Sequence, residues 1–310
     1  MSTYYVNSGA GGANDGTSWT DAYTSLATAI TGKADGDVFL VHKTHSETLS
    51  GNLTLNLSTS DAARGVKIIS VDKDASDIYS PGATLTTGAN DFQVSAIFRG
   101  FTLTTGSQLD LGSASFLEFH DCTLTKTASQ NYRVVGTLGR LLIDQCTLAL
   151  GTSYTAGFSL TASANVIVRK PTFTGTKGTN ASLLTMGVQV LGTFLIQDAD
   201  LSGFDNLLNH GSAGNNYAGV RGTFDGCILP SSFEYDDGAT YMRRQTSWAS
   251  FRNCKSGTRS IPAYEYELQM HEGYARKQAT KYRNGGSSDG TTPHAWEIVA
   301  AAGRTWKRSA

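Results

Sequence analysis

A six-residue pattern recurs along this 310-residue chain and restricts its fold more than any other feature. The clearest copies are Phe119–Leu124, Ile143–Leu148 and Phe224–Leu229. Weaker copies are Phe98–Leu103, Val168–Phe173, Ile196–Leu201 and Phe251–Ser256. The fourth residue of each copy, here called the central position, is residue 101, 122, 146, 171, 199, 227 or 254, so successive copies are 21 to 28 residues apart. A period of this length is typical of solenoid proteins.

The apolar residues of each copy keep the same spacing. They lie five and three residues before the central position, at it, and two residues after it, as in Leu117, Phe119, Cys122 and Leu124. Alternation with period two predicts two short strands, and the two adjacent outward residues between them predict a corner. We therefore predict a single-stranded, right-handed parallel β-helix, an all-β fold in which each repeat is one coil. An antiparallel sandwich is the alternative, but it would need a hairpin signal about every 8–12 residues.

Four cysteines occupy the central position, and their spacing argues against a metal site. Cys122, Cys146, Cys227 and Cys254 form no CxxC or Cys/His pattern, so we expect no zinc, no other metal and no cofactor. In a β-helix they become an inward column, with Cys122 next to Cys146 and Cys227 next to Cys254. We expect buried, inert free thiols there.

The two ends of the chain differ from the repeats. Residues 18–30 have a capping serine at Ser18 and apolar residues at 19, 23, 26 and 30, which predicts an amphipathic helix that covers the open end of the first coil. After about residue 260 the apolar spacing is lost. We predict an N-terminal cap over residues 1–35, a parallel β-helix over 36–260, and a small C-terminal β module or attachment segment over 261–310.

Composition and charge exclude several classes of protein. Charged residues make up 16% of the chain, against about 25% in an average globular protein, and the 34 glycines and 5 prolines suit short strands with tight turns. The net charge of −1 gives no whole-protein argument for binding nucleic acid or a membrane. The first residues lack a basic and apolar signal peptide, and no apolar run is long enough to span a bilayer, so neither export nor membrane insertion is expected.

The outward residues of the corners are the candidates for catalysis. Acidic residues predicted to face outward are Asp121, Asp144, Asp198, Asp200 and Asp225. Asp198 and Asp200 on one coil are the pair most similar to glycosidase carboxylates, with Asp225 on the next coil. Basic residues of the same row are interleaved with the acids: Arg99, Arg169, Lys170 and Arg252. Since mixed neighbours relieve repulsion, we interpret the row as a solubilising charge ladder and predict no catalytic residue.

The C-terminal segment carries the residue types that anchor protein interfaces. These are Tyr264, Tyr266, Met270, Tyr274, Arg276, Tyr282, Arg283, Trp296, Arg304 and Trp306. Aromatic residues and arginine dominate binding hot spots, so we predict that this set contacts neighbouring subunits of an assembly. The alternative is that these side chains only cover the last coil.

Two segments resemble a known group of proteins. Tyr4–Ala22, running into Gly36–Val41, resembles the N-terminal cap of pectate-lyase-like β-helix proteins, which are common among structural proteins of tailed bacteriophages and prophages. Gly285–Trp296 resembles a segment that follows the β-helix in a group of such phage proteins. The resemblance carries over no catalytic residue. It implies a component of the virion.

The resemblance leads to an expected function and partners. We expect a non-enzymatic decoration or cement protein on the capsid surface, made in the host bacterial cytoplasm and bound to the major capsid protein or other virion subunits. A homo-oligomer such as a trimer is compatible with it, and no nucleic acid or membrane is expected as a partner. The alternatives are a tailspike or tail-fibre module that binds or cleaves host polysaccharide, and a bacterial surface adhesin, which the missing export signal disfavours.

Overall fold

A computed structural model describes most of the chain as two compact units. Unit 1 comprises residues 1–151 and 169–175, and unit 2 comprises 152–168 and 176–310. The described residues are 1–34, 36–51, 53–54, 65–87, 91–93, 95–105, 109–111, 116–126, 132–134, 138–160, 164–186, 191–210, 219–229, 232–236, 248–256, 259–260, 281–283, 297–299 and 305–307.

Almost all regular structure is β-strand. The elements up to residue 111 are β1 (Thr3–Val6), α1 (Leu26–Ile30), β2 (Val38–His42), β3 (Ser46–Leu49), β4 (Leu53–Thr54), β5 (Val66–Asp72), a 3₁₀ turn (Lys73–Ala75), β6 (Ile78–Tyr79), β7 (Thr84–Thr87), β8 (Asp91–Gln93), β9 (Ala96–Arg99), β10 (Thr102–Thr105) and β11 (Leu109–Leu111). Those up to residue 210 are β12 (Phe116–His120), β13 (Thr123–Lys126), β14 (Tyr132–Val134), β15 (Leu138–Asp144), β16 (Thr147–Leu160), β17 (Ala164–Arg169), β18 (Thr172–Met186), β19 (Leu191–Gln197) and β20 (Asn206–His210). The last are β21 (Gly219–Asp225), β22 (Ile228–Leu229), β23 (Ser232–Asp236), β24 (Trp248–Arg252), β25 (Lys255–Ser256), β26 (Arg259–Ser260), β27 (Lys281–Arg283), β28 (Glu297–Val299) and β29 (Thr305–Lys307).

In unit 1 the main strands form three rows of parallel neighbours, so a complete coil contains one strand from each row. One row of parallel neighbours is β1, β2, β5, β9, β12 and β15. A second row is β3, β7, β10, β13 and β16, and a third is β4, β8, β11 and β14. Parallel strands that repeat row by row along the chain are a parallel β-helix, so the predicted fold class is confirmed.

The predicted apolar spacing is the inward face of the coils. Phe98 is paired in register with Phe119, and Phe119 with Ile143, one coil apart in each case. All three side chains are buried, and the rings of Phe98 and Phe119 stack with centroids 5.5 Å apart. Cys122 and Cys146 are buried free thiols in the same column, and the N–H of Cys122 lies 3.4 Å from Cys146 Sγ. The inward cysteine column is thereby confirmed within unit 1.

In the seven coils that carry the sequence repeat, the described corner before the central position is turned by one residue in the left-handed region. In unit 1 these residues are Gly100, Asp121, Gln145 and Lys170, with φ between 46° and 77°, and in unit 2 they are Asp198, Gly226 and Asn253, with φ between 50° and 66°. Each one directly precedes a central position. The Asp121 N–H donates to the carbonyl of Asp144 one coil further on, and Asp198 N–H donates to Asp225 in the same way. Backbone hydrogen bonds therefore link these corners to the corners of the next coil.

The repeat begins earlier than the sequence pattern indicates. Ser46 is in register with Thr84, and Thr84 with Thr102, so His45 and Ala83 occupy the central position of two preceding coils. Both are buried. The intervals from 45 to 83 and from 83 to 101 are 38 and 18 residues. The segment between β5 and β7 lengthens the first interval and hides the repeat.

Unit 2 contains parallel coils followed by antiparallel strands. Strands β17, β19, β21 and β24 are neighbours in one sheet, and β18, β20 and β23 in another. Cys227 and Cys254 are buried free thiols, and the rings of Phe224 and Phe251 stack 5.1 Å apart. Pairing then changes to antiparallel between β25 and β26, and along β23, β27, β28 and β29. This agrees with the predicted small C-terminal β module.

The capping helix is shorter than the sequence predicts. Helix α1 covers only Leu26–Ile30 and is capped by Ser25, not by Ser18. The preceding residues are held in another conformation, because the backbone of Tyr23 exchanges hydrogen bonds with Tyr5 and Asn7 beside β1. Ser18 instead hydrogen-bonds Asp21. The predicted extent of the helix was therefore wrong, although Leu26 and Ile30 are buried as expected, together with Ala29.

Candidate functional site

The corner row of unit 1 joins opposite charges on adjacent coils. The Asp121 carboxylate accepts from Arg99 Nε at 3.3 Å and from the Tyr79 hydroxyl at 3.2 Å. Arg99 lies over the Tyr79 ring, 4.1 Å from its centroid. Burial and the neighbouring Asp121 charge raise the pKa of Tyr79 to about 12. Tyr79 therefore stays a neutral hydrogen-bond donor.

A second group of side chains on the same face surrounds His120. Glu118 is buried on the outward side, and its carboxylate accepts from His120 Nε2 at 3.1 Å and from Arg140. His120 Nδ1 lies 3.6 Å from the Asp144 carboxylate. Both imidazole nitrogens thus face carboxylates, and Arg140 balances their charge. The group links Glu118 and His120 of one coil to Arg140 and Asp144 of the adjacent coil.

Two of the three candidate acids of unit 2 are hydrogen-bonded to the protein, Asp200 and Asp225. Asp200 accepts from the N–H of Ser202 at 3.0 Å, which closes a local turn. Asp225 accepts from the side-chain amide of Asn253 on the next coil at 3.2 Å. Asp198 is exposed at its left-handed corner, and its carboxylate lies where a Cβ on Gly226 would be. All three face outward, as the sequence predicted.

Few of the predicted attachment residues lie in the described part of the chain. Tyr282 and Arg283 are in β27, and Trp306 is in β29; Tyr282 is in register with Ile298 of β28, which in turn is in register with Trp306. The others lie outside the described residues: Tyr264, Tyr266, Met270, Tyr274, Arg276, Trp296 and Arg304. Their contact role stays a prediction.

Beneath the cap lies a polar network that the sequence analysis missed. His45 is buried at the central position of its coil; its Nδ1 accepts from the N–H of Ser8 at 2.9 Å, and its Nε2 donates to Glu47 at 3.2 Å. Glu47 also accepts from the Ser25 hydroxyl and from the N–H of Leu26, both at 2.6 Å. Burial raises the pKa of Glu47, but the hydrogen bonds from His45, Ser25 and Leu26 outweigh it and leave the pKa lowered. Glu47 thus joins the first coil to the start of α1.

A histidine and two aspartates meet at the ends of β2 and β5. One ligand atom from each of His42, Asp72 and Asp74 lies within 4.8 Å of the others, a spacing that a metal ion can bridge. His42 Nδ1 is 2.7 Å from Thr44 Oγ1, whereas the buried Nε2 has no hydrogen-bond partner. Burial, followed by the charge of Lys73, lowers the pKa of His42, which favours the neutral imidazole.

Lys126 is a buried amine inside the coils of unit 1. It follows inward Leu124 by two residues, is 2% exposed, and has no hydrogen-bond partner for Nζ. Nζ lies 4.9 Å from the centroid of the Tyr132 ring, a cation–π contact. Burial lowers the pKa of Lys126 to about 7. Near neutral pH much of this amine is therefore uncharged.

Comparisons with known proteins add a distant structural likeness. No protein-family model and no curated protein sequence matches this chain significantly. A solved structure described as the crystal structure of pectate lyase Pel9A is similar at 13% sequence identity, over 100% of this chain and 92% of the other, with a TM-score of 0.32. At that score the likeness carries no argument about activity. No helix among the described residues is long and apolar enough to cross a membrane.

Proposed function

We propose that this protein is a non-enzymatic structural component of a bacteriophage virion, a decoration or cement protein on the outside of the head. The observation that supports a structural role is the engagement of the corner acids. Asp121 pairs with Arg99, Asp225 accepts from Asn253, and Asp200 accepts from the backbone N–H of Ser202. Glycosidase carboxylates must face a bound sugar, whereas these groups hydrogen-bond the protein.

The antiparallel end of the chain supports attachment through the C-terminal segment. Parallel coils can stack on one another indefinitely, and a change to antiparallel strands at β26 and β27 ends that repetition. The proposed contact residues of 261–310 all follow β26, and two of them, Tyr282 and Arg283, are in β27. In this proposal they bind the major capsid protein or another virion subunit.

Co-sedimentation with empty particles of the encoding phage or prophage tests this function. The full chain should sediment with the particles, and a variant lacking residues 285–310 should stay in the supernatant while circular dichroism shows intact β structure. The matched control is Asp198→Asn/Asp200→Asn/Asp225→Asn in one chain, which should bind fully. Complete binding by the folded truncated chain would contradict attachment through this segment.

The polysaccharide-acting alternative has its own measurement. Purified host surface polysaccharide is incubated with the full chain and with the triple aspartate variant, and reducing ends and unsaturated sugars are assayed. We expect no release from either. Release that disappears in the triple variant, together with failure to bind particles, would identify a tailspike-type enzyme instead.

A further inference from the structure

His42 differs from the other histidines whose side chains the structure describes. His45 has both nitrogens hydrogen-bonded, to Ser8 and Glu47, and both nitrogens of His120 face carboxylates. His42 is 6% exposed, yet its Nε2 has no hydrogen-bond partner. An unsatisfied buried nitrogen next to two carboxylates needs an explanation, since burial of a polar atom without a partner destabilises the folded state.

We propose that His42, Asp72 and Asp74 bind a divalent transition-metal ion of the zinc class. The ligands are Nε2 of His42 and one carboxylate oxygen from each aspartate. Imidazole with carboxylate suits zinc, whereas magnesium and calcium prefer oxygen ligands alone. Nδ1 of His42 can donate to Thr44 Oγ1, which is the usual arrangement of a metal-bound histidine because it leaves Nε2 free to coordinate.

The strand pairing of the first two coils builds this site. His42 ends β2 and is in register with Val71 of β5, so Asp72 follows directly beside it. Asp72 Oδ1 accepts from the N–H of Asp74 at 3.1 Å, which fixes the 3₁₀ turn that carries the second carboxylate. Asp74 is exposed, so water can complete the coordination from that side.

Two lysines hold the carboxylates when no metal ion is bound. Lys43 Nζ lies 2.6 Å from Asp72 Oδ2, and Lys73 Nζ lies 2.6 Å from Asp74 Oδ1. Each lysine engages one oxygen of its aspartate, and the other oxygen of Asp72 accepts from the N–H of Asp74, so a metal ion would share the Asp72 carboxylate with these donors. The lysines compete with the metal ion for the same charge, and removal of Lys73 should therefore strengthen metal binding.

The position of the site indicates a structural role for the metal ion. The site bridges the first coil, through His42, and the end of β5 with the 3₁₀ turn after it, through Asp72 and Asp74. Trp19 of the cap lies beside it, with its ring centroid 6.0 Å from that of His42 and its indole N–H bonded to Asp77 at 2.7 Å. A metal ion here would tie the cap end of unit 1 together, independently of any virion contact.

Titration of tag-free, metal-free full-length protein with zinc tests the proposal by calorimetry and thermal unfolding. We expect one zinc ion per chain and a melting temperature that rises with zinc concentration, because a ligand of the folded state stabilises it. Magnesium and calcium should give neither effect. Cobalt should quench the fluorescence of Trp19, and a Trp19→Phe chain should lose that part of the quenching.

Variants assign the ligands. His42→Ala and Asp74→Asn should each weaken zinc binding at least about tenfold, Lys73→Gln should strengthen it, and the control His120→Ala should leave it unchanged. If His42→Ala fails to fold, Asp74→Asn decides, since that side chain is exposed. Absence of stoichiometric zinc binding, or equal binding by Asp74→Asn and the unaltered chain, would overturn the proposal.

Discussion

Inward polar residues have different hydrogen bonding in the first coil and in the later coils of unit 1. In the first coil His45 takes the central position and has a partner for both nitrogens, because the cap supplies Ser8, Ser25 and the start of α1 through Glu47. Among the later coils Lys126 also points inward, but its Nζ has no hydrogen-bond partner. A side chain enclosed by stacked coils meets mainly apolar groups, since the backbone there is already paired along the rows. The inward His45 is therefore stabilised at the capped end, whereas the inward Lys126 destabilises the coils further along.

The largest expected effect is at Glu47. Glu47→Ala removes the acceptor of four hydrogen bonds beneath the cap, from His45, Ser25 and the N–H groups of residues 26 and 27, and should lower the free energy of unfolding by about 3–5 kcal/mol, because it leaves buried partners unsatisfied. Chemical denaturation followed by circular dichroism measures this. Glu47→Gln keeps the size and one oxygen acceptor and should cost less.

The stability of the unaltered chain and that of the Glu47→Gln chain should respond differently to acidic pH. The folded-state pKa of Glu47 is lowered, so its contribution to stability is present above the unfolded value of about 4.3 and is lost as the pH falls through the folded pKa. The Glu47→Gln chain should therefore lose less stability than the unaltered chain over that acidic range. Identical profiles would show that the network does not depend on the carboxylate charge.

Lys126→Met should have the next largest effect, and it should stabilise the chain. Its pKa falls from 10.5 to about 7 on folding, so between these values the unfolded chain binds more protons and stability rises with pH. Lys126→Met fills the same space without a charge and should raise the free energy of unfolding near pH 7 by a few kcal/mol, on the order set by about 1.4 kcal/mol per pKa unit.

The pH profile of the same variant is its internal control. The gain from Lys126→Met should shrink as the pH rises toward 10.5, because the unaltered chain then buries a neutral amine. Thermal unfolding of both chains across this range measures the difference. A gain that does not vary with pH would mean that lost packing, not charge burial, separates the two chains.

The corner residues should give intermediate effects. Gln145→Gly removes a side chain from a left-handed corner and should stabilise unit 1 by up to about 1 kcal/mol, whereas Gly100→Ala should destabilise it by about 1–2 kcal/mol. A Cβ on Gly100 would also come 2.8 Å from the Tyr79 ring. Equal effects of the two substitutions on the melting temperature would contradict this.

The smallest effect is expected in the outward charge row. Asp121→Asn weakens a half-exposed pair with Arg99 and should change the free energy of unfolding by less than about 1 kcal/mol, because surface ion pairs contribute little. Raising the salt concentration should reduce even that difference. A loss as large as that of Glu47→Ala would mean that the row, and not the cap network, secures the coils.

The repeats could be predicted because they depend on local alternation. Cys122 and Cys146 fall in one column since every copy buries the same positions, and the register of the strands confirms it. The left-handed corner could also have been recognised, because Gly100, Gly226 and Asn253 are residue types that favour positive φ. Gln145 and Lys170 at the same position conceal that signal.

The cap and the histidine cluster could not be predicted from local pattern. The turns that hydrogen bonds of Tyr23 impose before α1 override the helical spacing of residues 18–30. His42 and Asp72 are 30 positions apart, and only the pairing of β2 with β5 places them together. His45 belongs to the repeat, but the long interval to Ala83 prevents its recognition from the sequence spacing.

The excursion between β5 and β7 shows how a chain of this kind can change in length. The interval between central positions is 38 residues before Ala83 and 18 after it, yet Ser46, Thr84 and Thr102 remain in register. Whole segments can therefore be gained or lost between strands without rotating any side chain. A single residue added inside a strand would instead turn its inward face outward. Descendants of such a gene should differ by intact loops, and the tip of such an excursion is the natural place to graft a foreign peptide.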